Sequence, residues 1–305
     1  MKIIVTHMSP DWDAITSVWL LKKYLPGWQD AQVRFVPAGQ RHGKNGGFVS
    51  PQEEGDLEAV IETIGEDEYI HVDTGMGPLD HHQTQDQSVC GASRTWDYIL
   101  DTFKEHGSKL SKEHEEAVSR IVKIIVSIDH FQEVYWHDAA ADHYEFSLLG
   151  VIEGMKYHRQ NEDMDYVLFG TNCLDALVAE FENRIWAEKE ISEKGIAFET
   201  QHGKAMGFET INDTVLKLAQ KMGYVLVVRK DPRKGYVRIK TLPARPENKG
   251  IDLTNVYNQL SKMDPEATWF LHVSKKMLLN GTPKNPKMKP TKLTLKEIIR
   301  VLERI

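Results

Sequence analysis

Apolar and polar positions follow two rhythms along the chain. Lys2–Val5 is a short apolar run of strand length, and Asp13–Tyr24 then carries Ala14, Ile15, Val18 and Leu21 at helical spacing before Leu25-Pro26. Val33–Val36 predicts a second strand, Leu57–Ile64 a helix, and Tyr69–Val72 a buried third strand. Ser93–Phe103, Ser111–Ile128 and a long stretch from Asp163 to Phe198 predict further helices. Residues 199–207 lose the periodicity and read as a linker. Beyond them the pattern predicts a helix over Thr210–Met222, strands at Tyr224–Val228 and Tyr236–Thr241 around the turn Asp231–Gly235, a strand at Trp269–Val273 and a final helix over Leu295–Ile305.

Strands alternating with helices imply an α/β protein whose first domain holds a parallel, helix-flanked sheet, with its ligand site at the strand carboxyl ends. The expected organisation is a catalytic domain over 1–198, a linker over 199–207 and a smaller basic α/β domain over 208–305. With 305 residues, 41% apolar and 27% charged, the composition is that of a folded globular chain and excludes collagen-like and disordered classes. No apolar run approaches the roughly 20 residues that span a bilayer, and the opening segment is too short in apolar residues for a signal peptide, so the expected location is cytoplasmic with no membrane partner. Two cysteines, Cys90 and Cys173, cannot build a disulfide framework.

Charge divides the chain. From Lys204 onward 21 Lys and Arg face 9 Asp and Glu, a balance of +12, which leaves −19 for residues 1–203. An acidic, histidine-bearing half suits divalent cations, and a basic half suits phosphates. The segment Arg41–Gly47 is a basic, glycine-rich loop that either closes over a substrate or is simply mobile.

Clusters of oxygen and imidazole donors follow apolar segments. They are His7, Asp11 and Asp13 after the first strand; Asp73 after the third; Asp80-His81-His82-Gln83 beside a Gly- and Pro-containing turn; and Asp129 at the end of Ile121–Ile128. Asp11 or Asp13 taken alone also reads as a helix cap, and His81-His82 as a polar turn. Together, His7, Asp11, Asp13, Asp73, His81 and Asp129 offer two imidazoles and four carboxylates, a donor set for two adjacent hard or borderline divalent ions. His71 reads as structural, and Asp80 as the partner that orients a histidine.

These motifs, in this order, resemble the four motifs of the DHH phosphoesterases, a superfamily that includes RecJ nucleases, nanoRNA and cyclic-dinucleotide phosphodiesterases and family II pyrophosphatases. The resemblance covers roughly residues 1–135. It implies two divalent ions, Mn2+ first and Mg2+ or Co2+ as alternatives. His7 and Asp11 would hold one, Asp13, His81 and Asp129 the other, and Asp73 would bridge them. His82 would face the substrate, making His82 and Asp73 the expected catalytic residues. The second half lacks the glycine-rich GGGH-type motif of most members. Its stretch Trp269–Gly281 and the hairpin Val225–Thr241 are similar to the melanocyte-proliferating-gene-one proteins, a subgroup associated with RNA exonuclease activity.

In that half His272, Ser274, Lys275 and Lys276, with Arg238 on the neighbouring hairpin, present an imidazole, a hydroxyl and cations to an anionic substrate. Lys275-Lys276 equally reads as edge-strand protection. Trp269 and Tyr236 suit either base stacking or the core, and Lys284, Lys287, Lys289 and Lys292, between prolines at 283, 286 and 290, form a basic arm. The expected function is metal-dependent hydrolysis of phosphodiester bonds in short or single-stranded oligonucleotides. The alternatives are a small phosphorylated metabolite or cyclic dinucleotide as substrate, or a non-catalytic nucleotide sensor; a homodimer is possible under each.

Overall fold

The computed structural model describes residues 1–51, 57–246, 249–282 and 285–305. The chain is mixed α/β and divides into two compact units, Met1–Glu182 and Asn183–Ile305. No helix among the described residues is long and apolar enough to cross a membrane.

In the first unit β1 (Lys2–His7) leads through α1 (Trp12–Tyr24) to β2 (Gln32–Val36), followed by a short ribbon of β3 (Arg41–His42) and β4 (Phe48–Val49). β5 (Glu62–Ile64) and β6 (Asp67–His71) complete the sheet, whose order is β2-β1-β6-β5. β1 pairs in parallel with β2 and β6, whereas β5 is antiparallel, so the sheet is mixed. Alternation along β1 separates the two faces: Ile4 joins Ile70, Val72 and the helices in the large core, while Ile3 and Val5 pack with Val36 and Tyr69 on the other side. The helix expected at Leu57–Ile64 is absent. Val60, Ile61, Thr63 and Ile64 are β-branched, and Gly65, at φ +66°, turns the chain straight back, pairing Ile64 with Asp67 in a tight hairpin.

Helices α2 (Gly91–Glu105), α3 (Lys112–Asp129), α4 (Leu148–His158) and α5 (Asp163–Lys194) follow. The boundary between the units falls within α5 rather than at residue 198. Gly170 of α5 lies against α1, where a Cβ would come within 2.5 Å of Ile15 Cγ2.

The expected linker at 199–207 is a β-hairpin. α5 stops at Lys194, and β7 (Ile196–Thr200) and β8 (Gly203–Glu209) pair antiparallel around Gln201-His202. Gly195 ends the helix where a Cβ would press within 2.6 Å of Ile191 O and Met206 Sδ. The second unit continues with α6 (Thr214–Lys221), β9 (Leu226–Lys230), β10 (Val237–Thr241), α7 (Thr254–Met263), β11 (Trp269–Leu271), β12 (Met277–Asn280) and α8 (Leu295–Leu302). Its six-stranded sheet runs β11-β12-β10-β9-β8-β7, antiparallel except for β8 with β9. One face buries Leu226, Val228, Val237, Ile239 and Leu278 with α7 and α8; the other meets α6 and the end of α5 through Met206, Phe208 and Val227.

Replacing Gly170 by Ala will therefore destabilise the first unit. The intrinsic helix gain of about 1 kcal/mol is outweighed by an overpacking cost of roughly 1–3 kcal/mol against the stiff, fully buried Ile15. A lower urea midpoint with unchanged slope is the expected readout; a raised midpoint would show that the contact relaxes freely.

Candidate metal centre

The first unit gathers its donors at the ends of elements. β1 delivers His7, and Asp11 caps α1, its Oδ1 accepting from the backbone N–H of Asp13 at 2.9 Å and of Ala14 at 3.1 Å. The capping reading and the ligand reading of Asp11 hold together, because its other oxygen lies 3.9 Å from His7 Nε2. The first turn of α1 carries Asp13 inward to 2% exposure, where the N–H groups of Gly91 and Ala92, at the start of α2, each donate to it at 2.6 Å. A helix N-terminus suits a buried carboxylate because its free N–H groups and dipole favour negative charge. Gly91 is needed at that point: a Cβ would sit 2.9 Å from Asp73 Cβ and 3.0 Å from Asp13 Oδ2.

Asp73 follows β6 with φ +52°, a left-handed conformation that turns the chain sharply beyond the carboxyl end of that strand. Its two oxygens face different histidines: Oδ2 lies 3.3 Å from His7 Nε2, and Oδ1 lies 3.5 Å from His81 Nε2. His81 Nε2 also lies 3.7 Å from Asp13 Oδ2 and 3.4 Å from Asp129 Oδ2. All six sequence-identified donors thus converge. Three overlapping groups, His7 with Asp11 and Asp73, Asp73 with His81 and His82, and His81 with Asp129 and His130, bring their ligating atoms close enough to hold a metal ion.

The donor chemistry fits a cation. Asp73 Oδ1, His81 Nε2 and Asp129 Oδ2 are buried polar atoms without a hydrogen-bond partner among the described residues. Such atoms are costly unless an ion or another partner satisfies them. His7 donates through Nδ1 to Met8 O at 2.9 Å, which turns Nε2 toward the cluster, where it is free to ligate once deprotonated. The protonation balance carries the same imprint of excess negative charge. Burial and the charges of Asp73 and Asp129 push the Asp13 carboxyl well up; burial, only partly offset by His81, raises Asp129 to about 6. Burial would lower His7, but Asp73 and Asp11 outweigh it and hold it at about 9.

Asp80 organises the histidine pair. Its Oδ1 accepts from His81 N at 2.7 Å and lies 2.7 Å from His82 Nδ1, while Oδ2 accepts from Met76 N at 2.6 Å. Asp80 raises His82 to about 9 against the opposing effect of burial, and the His82 side chain remains 57% exposed.

Sequence reasoning missed three contributors. His130, directly after Asp129, joins a donor group, its Nε2 donating to Val89 O at 2.8 Å. Lys156 of α4, ion-paired to Glu153 at 3.1 Å, lies near enough to Asp11 for its charge to oppose the rise that burial and Asp73 impose on that carboxyl. Arg41 is the third. It is 1% exposed rather than part of a free loop, and its Nη1 donates to Gly75 O at 2.7 Å while its Nη2 pairs with Glu62. His71 is structural, as expected: Nε2 accepts from His42 N at 3.1 Å, and Nδ1 donates to Glu62 at 3.1 Å. Thr74 Oγ1 donates to Gln40 O at 2.9 Å, so the stretch Gln40–His42 braces the turn that carries Asp73. Only the adjacency of Arg41 to a glycine-rich segment was visible beforehand.

The substrate residues expected in the second unit are engaged within it. His272 Nδ1 lies 2.8 Å from Ser274 Oγ in the β11–β12 turn, Lys275 pairs with Asp252 at 3.2 Å, and Lys276 donates to Ile251 O at 2.7 Å. Arg238 pairs with Asp213. Trp269 is core, at 8% exposure, and Tyr236 is half-buried against Gly281. The basic arm is anchored rather than free: Asn280 Nδ2 donates to Lys289 O at 3.0 Å, and Thr291 N donates to Asn280 Oδ1 at 2.6 Å. Pro283 and Lys284 lie outside the described residues.

Fold and site together define a mixed α/β chain whose first unit carries a histidine–aspartate cluster fit to hold a metal ion. No protein-family model matches the chain, and no curated protein matches it. Among solved structures it matches an uncharacterized protein from Helicobacter pylori G27 over 99% of this chain and 98% of that chain, at 10% identity. The TM-score of 0.24 is too low to carry an argument about fold or function.

Gly91→Ala will disturb two donors at once without touching a ligating atom. Its expected effect is a loss of about 10–100-fold in divalent-cation affinity, read by calorimetric titration with Mn2+. Unchanged affinity would separate Asp13 and Asp73 from the cation.

Proposed function

We propose that this protein is a DHH-type phosphoesterase that hydrolyses phosphodiester bonds with the help of two divalent cations, Mn2+ foremost. The observation that carries the reading is the division of Asp73, one oxygen 3.3 Å from His7 and the other 3.5 Å from His81, at the centre of four carboxylates. A carboxylate that serves two sides of a cluster suits a bridge between adjacent cations. His7 and Asp11 would hold one ion, and Asp13, His81 and Asp129 the other. When bound, the cations would activate water and neutralise the charge that develops on a phosphoryl group.

The chain's own residues have distinct tasks. Asp13, fixed by the Gly91 and Ala92 amides, holds its donor atoms in place before a cation arrives. His82, tethered by Asp80 at Nδ1 and more than half exposed, has Nε2 available to pass a proton to a departing oxygen. Lys156 adds a positive charge near Asp11 that suits a phosphate oxygen. A short or single-stranded oligonucleotide is the preferred substrate class, on the strength of the +12 balance beyond residue 203.

Asp73→Asn removes the negative charge and replaces one of the two oxygens with an NH2 donor, with almost no change in volume. Turnover of a labelled oligonucleotide with Mn2+ is expected to fall by at least about 10²-fold, with the thermal melt of the metal-free protein preserved. Near-normal turnover would refute the two-cation centre, and activity confined to dinucleotides or pyrophosphate would replace the substrate class while leaving the chemistry.

A further inference from the structure

Strand register in the second unit sets a row of side chains abreast on one face of the sheet. Phe270 of β11 pairs with Leu279 of β12, Leu279 with Arg238 of β10, and Arg238 with Arg229 of β9. Directly paired residues project to the same face, so these four form one line across four strands. Lys240, two residues beyond Arg238 on β10, points the same way. The opposite face is the core: Val237, Ile239, Leu278 and Trp269 are each 8% exposed or less.

Cover on this row is uneven. Helix α6 packs on β9, where Val227 is fully buried and Arg229 is 8% exposed. Toward the other edge the shielding fades. Arg238, Lys240, Met277 and Leu279 are only partly buried, and Phe270 is 48% exposed beside a neighbour, Trp269, that the core swallows. About half of the Phe270 side chain therefore stands open to solvent on this face, whereas Trp269 packs into the core on the other.

Charge on the same face is one-sided. Asp213 is shared by Arg229, at 2.6 Å, and Arg238, and Asp231 acts on Arg229 as well, so the carboxylates of this face are drawn to its buried end. Lys240 and Lys217 of α6 have no ion-pair partner among the described residues. The two lysines and Arg238 are close enough to act on one another: burial first, then Arg238 and Lys217, lowers the Lys240 ammonium. Crowded cations with an aromatic face alongside match the requirements of a strand of unpaired nucleotides, whose phosphates need charge and whose bases need a flat apolar surface. A duplex hides its base faces and gains nothing from Phe270.

We propose that the open β10–β12–β11 face of the second unit binds single-stranded nucleic acid, with Phe270 as the base-stacking platform and Arg238, Lys240 and Lys217 as the phosphate contacts. Strands lie about 4.8 Å apart, so Phe270 and the Arg238 row position are separated by about 10 Å, within the span of neighbouring nucleotides. This binding goes beyond the hydrolytic reading and does not need the metal centre.

The test is fluorescence anisotropy with the full chain and labelled oligothymidylate or oligouridylate about twelve nucleotides long, in EDTA so that no cation reaches the first unit. The wild type is expected to bind, with log affinity falling linearly in log salt. Phe270→Ala should weaken binding by about 10-fold or more, and Phe270→Trp should restore it. Lys240→Gln should reduce the magnitude of the salt slope by about 0.7. A thermal melt confirms that each variant is folded. Absence of single-strand binding by the wild type, equal affinity for a duplex of the same length, or a folded Phe270→Ala that binds like wild type would each overturn the proposal. Hydrolysis by the wild type and its loss in Asp73→Asn are read separately with Mn2+, so failure of binding here and failure of the catalytic reading give different results.

Discussion

Mutual repulsion among buried carboxylates is the constraint around which the first unit is arranged. Two unit charges 4 Å apart at an effective dielectric near 20 interact by about 4 kcal/mol, several times the net worth of an ordinary hydrogen bond. The buried Asp13 and Asp73, the partly buried Asp129 and the half-exposed Asp11 nevertheless share one small volume, each near the end of a regular element. Part of the cost is met locally, by the backbone amides that α1 and α2 turn toward Asp11 and Asp13. Burial first, and the neighbouring carboxylates after it, leave Asp13 and Asp129 raised, and Asp73 and Asp11 hold His7 up against the effect of burial. Positive charge supplied from outside the chain is the economical way to relieve the rest of the cost.

That arrangement demands stiffness at one turn. Asp73 adopts a left-handed backbone that most residues avoid, and Gly75, at φ +78°, follows two positions later. A buried arginine on one side and Gly91 on the other hold the turn. Arg41 donates to Gly75 O and leaves no room for a side chain there, since a Cβ on Gly75 would meet Arg41 Cγ at 2.5 Å. Glu62 and His71 complete the brace: burial alone would raise the Glu62 carboxyl, but hydrogen bonds from His71 and Arg41 hold it below the usual carboxylate range. The antiparallel strand β5, which brings Glu62 beside β6, thereby serves the site as well as the sheet.

The second unit shows how a period of two divides labour on a single strand. Val237, Ile239 and Thr241 of β10 face one way and are buried, while Arg238 and Lys240 face the other and stay within reach of solvent. At β11 the same alternation consigns Trp269 to the core and leaves its neighbour Phe270 half-exposed. Sequence reasoning left the larger aromatic open to either base stacking or the core. The register shows why the smaller one is available: a one-residue offset decides which face a side chain joins.

Much of this was legible in the chain itself. Local pattern placed β1, α1, β2, β6, α2, α3 and α8 to within a few residues, because burying one face imposes a period on the sequence. It also singled out His7, Asp11, Asp13, Asp73, His81 and Asp129, because polar donors directly after apolar runs stand at the rim of a core. Composition could not reveal that 57–64 ends in a hairpin strand, or that 199–207 pairs as β7 and β8, since both depend on glycines whose left-handed or tightly packed backbone matters only once partners are present. The sequence by itself determined which residues could ligate and which segments had to be buried. Tertiary structure alone decided that the two oxygens of Asp73 would face two histidines, that Arg41 would be buried beneath its turn, and that Lys275 and Lys276 would be tied down at home. Those outcomes rest on contacts between positions far apart in the chain, and such contacts leave no periodic trace in the residues that make them.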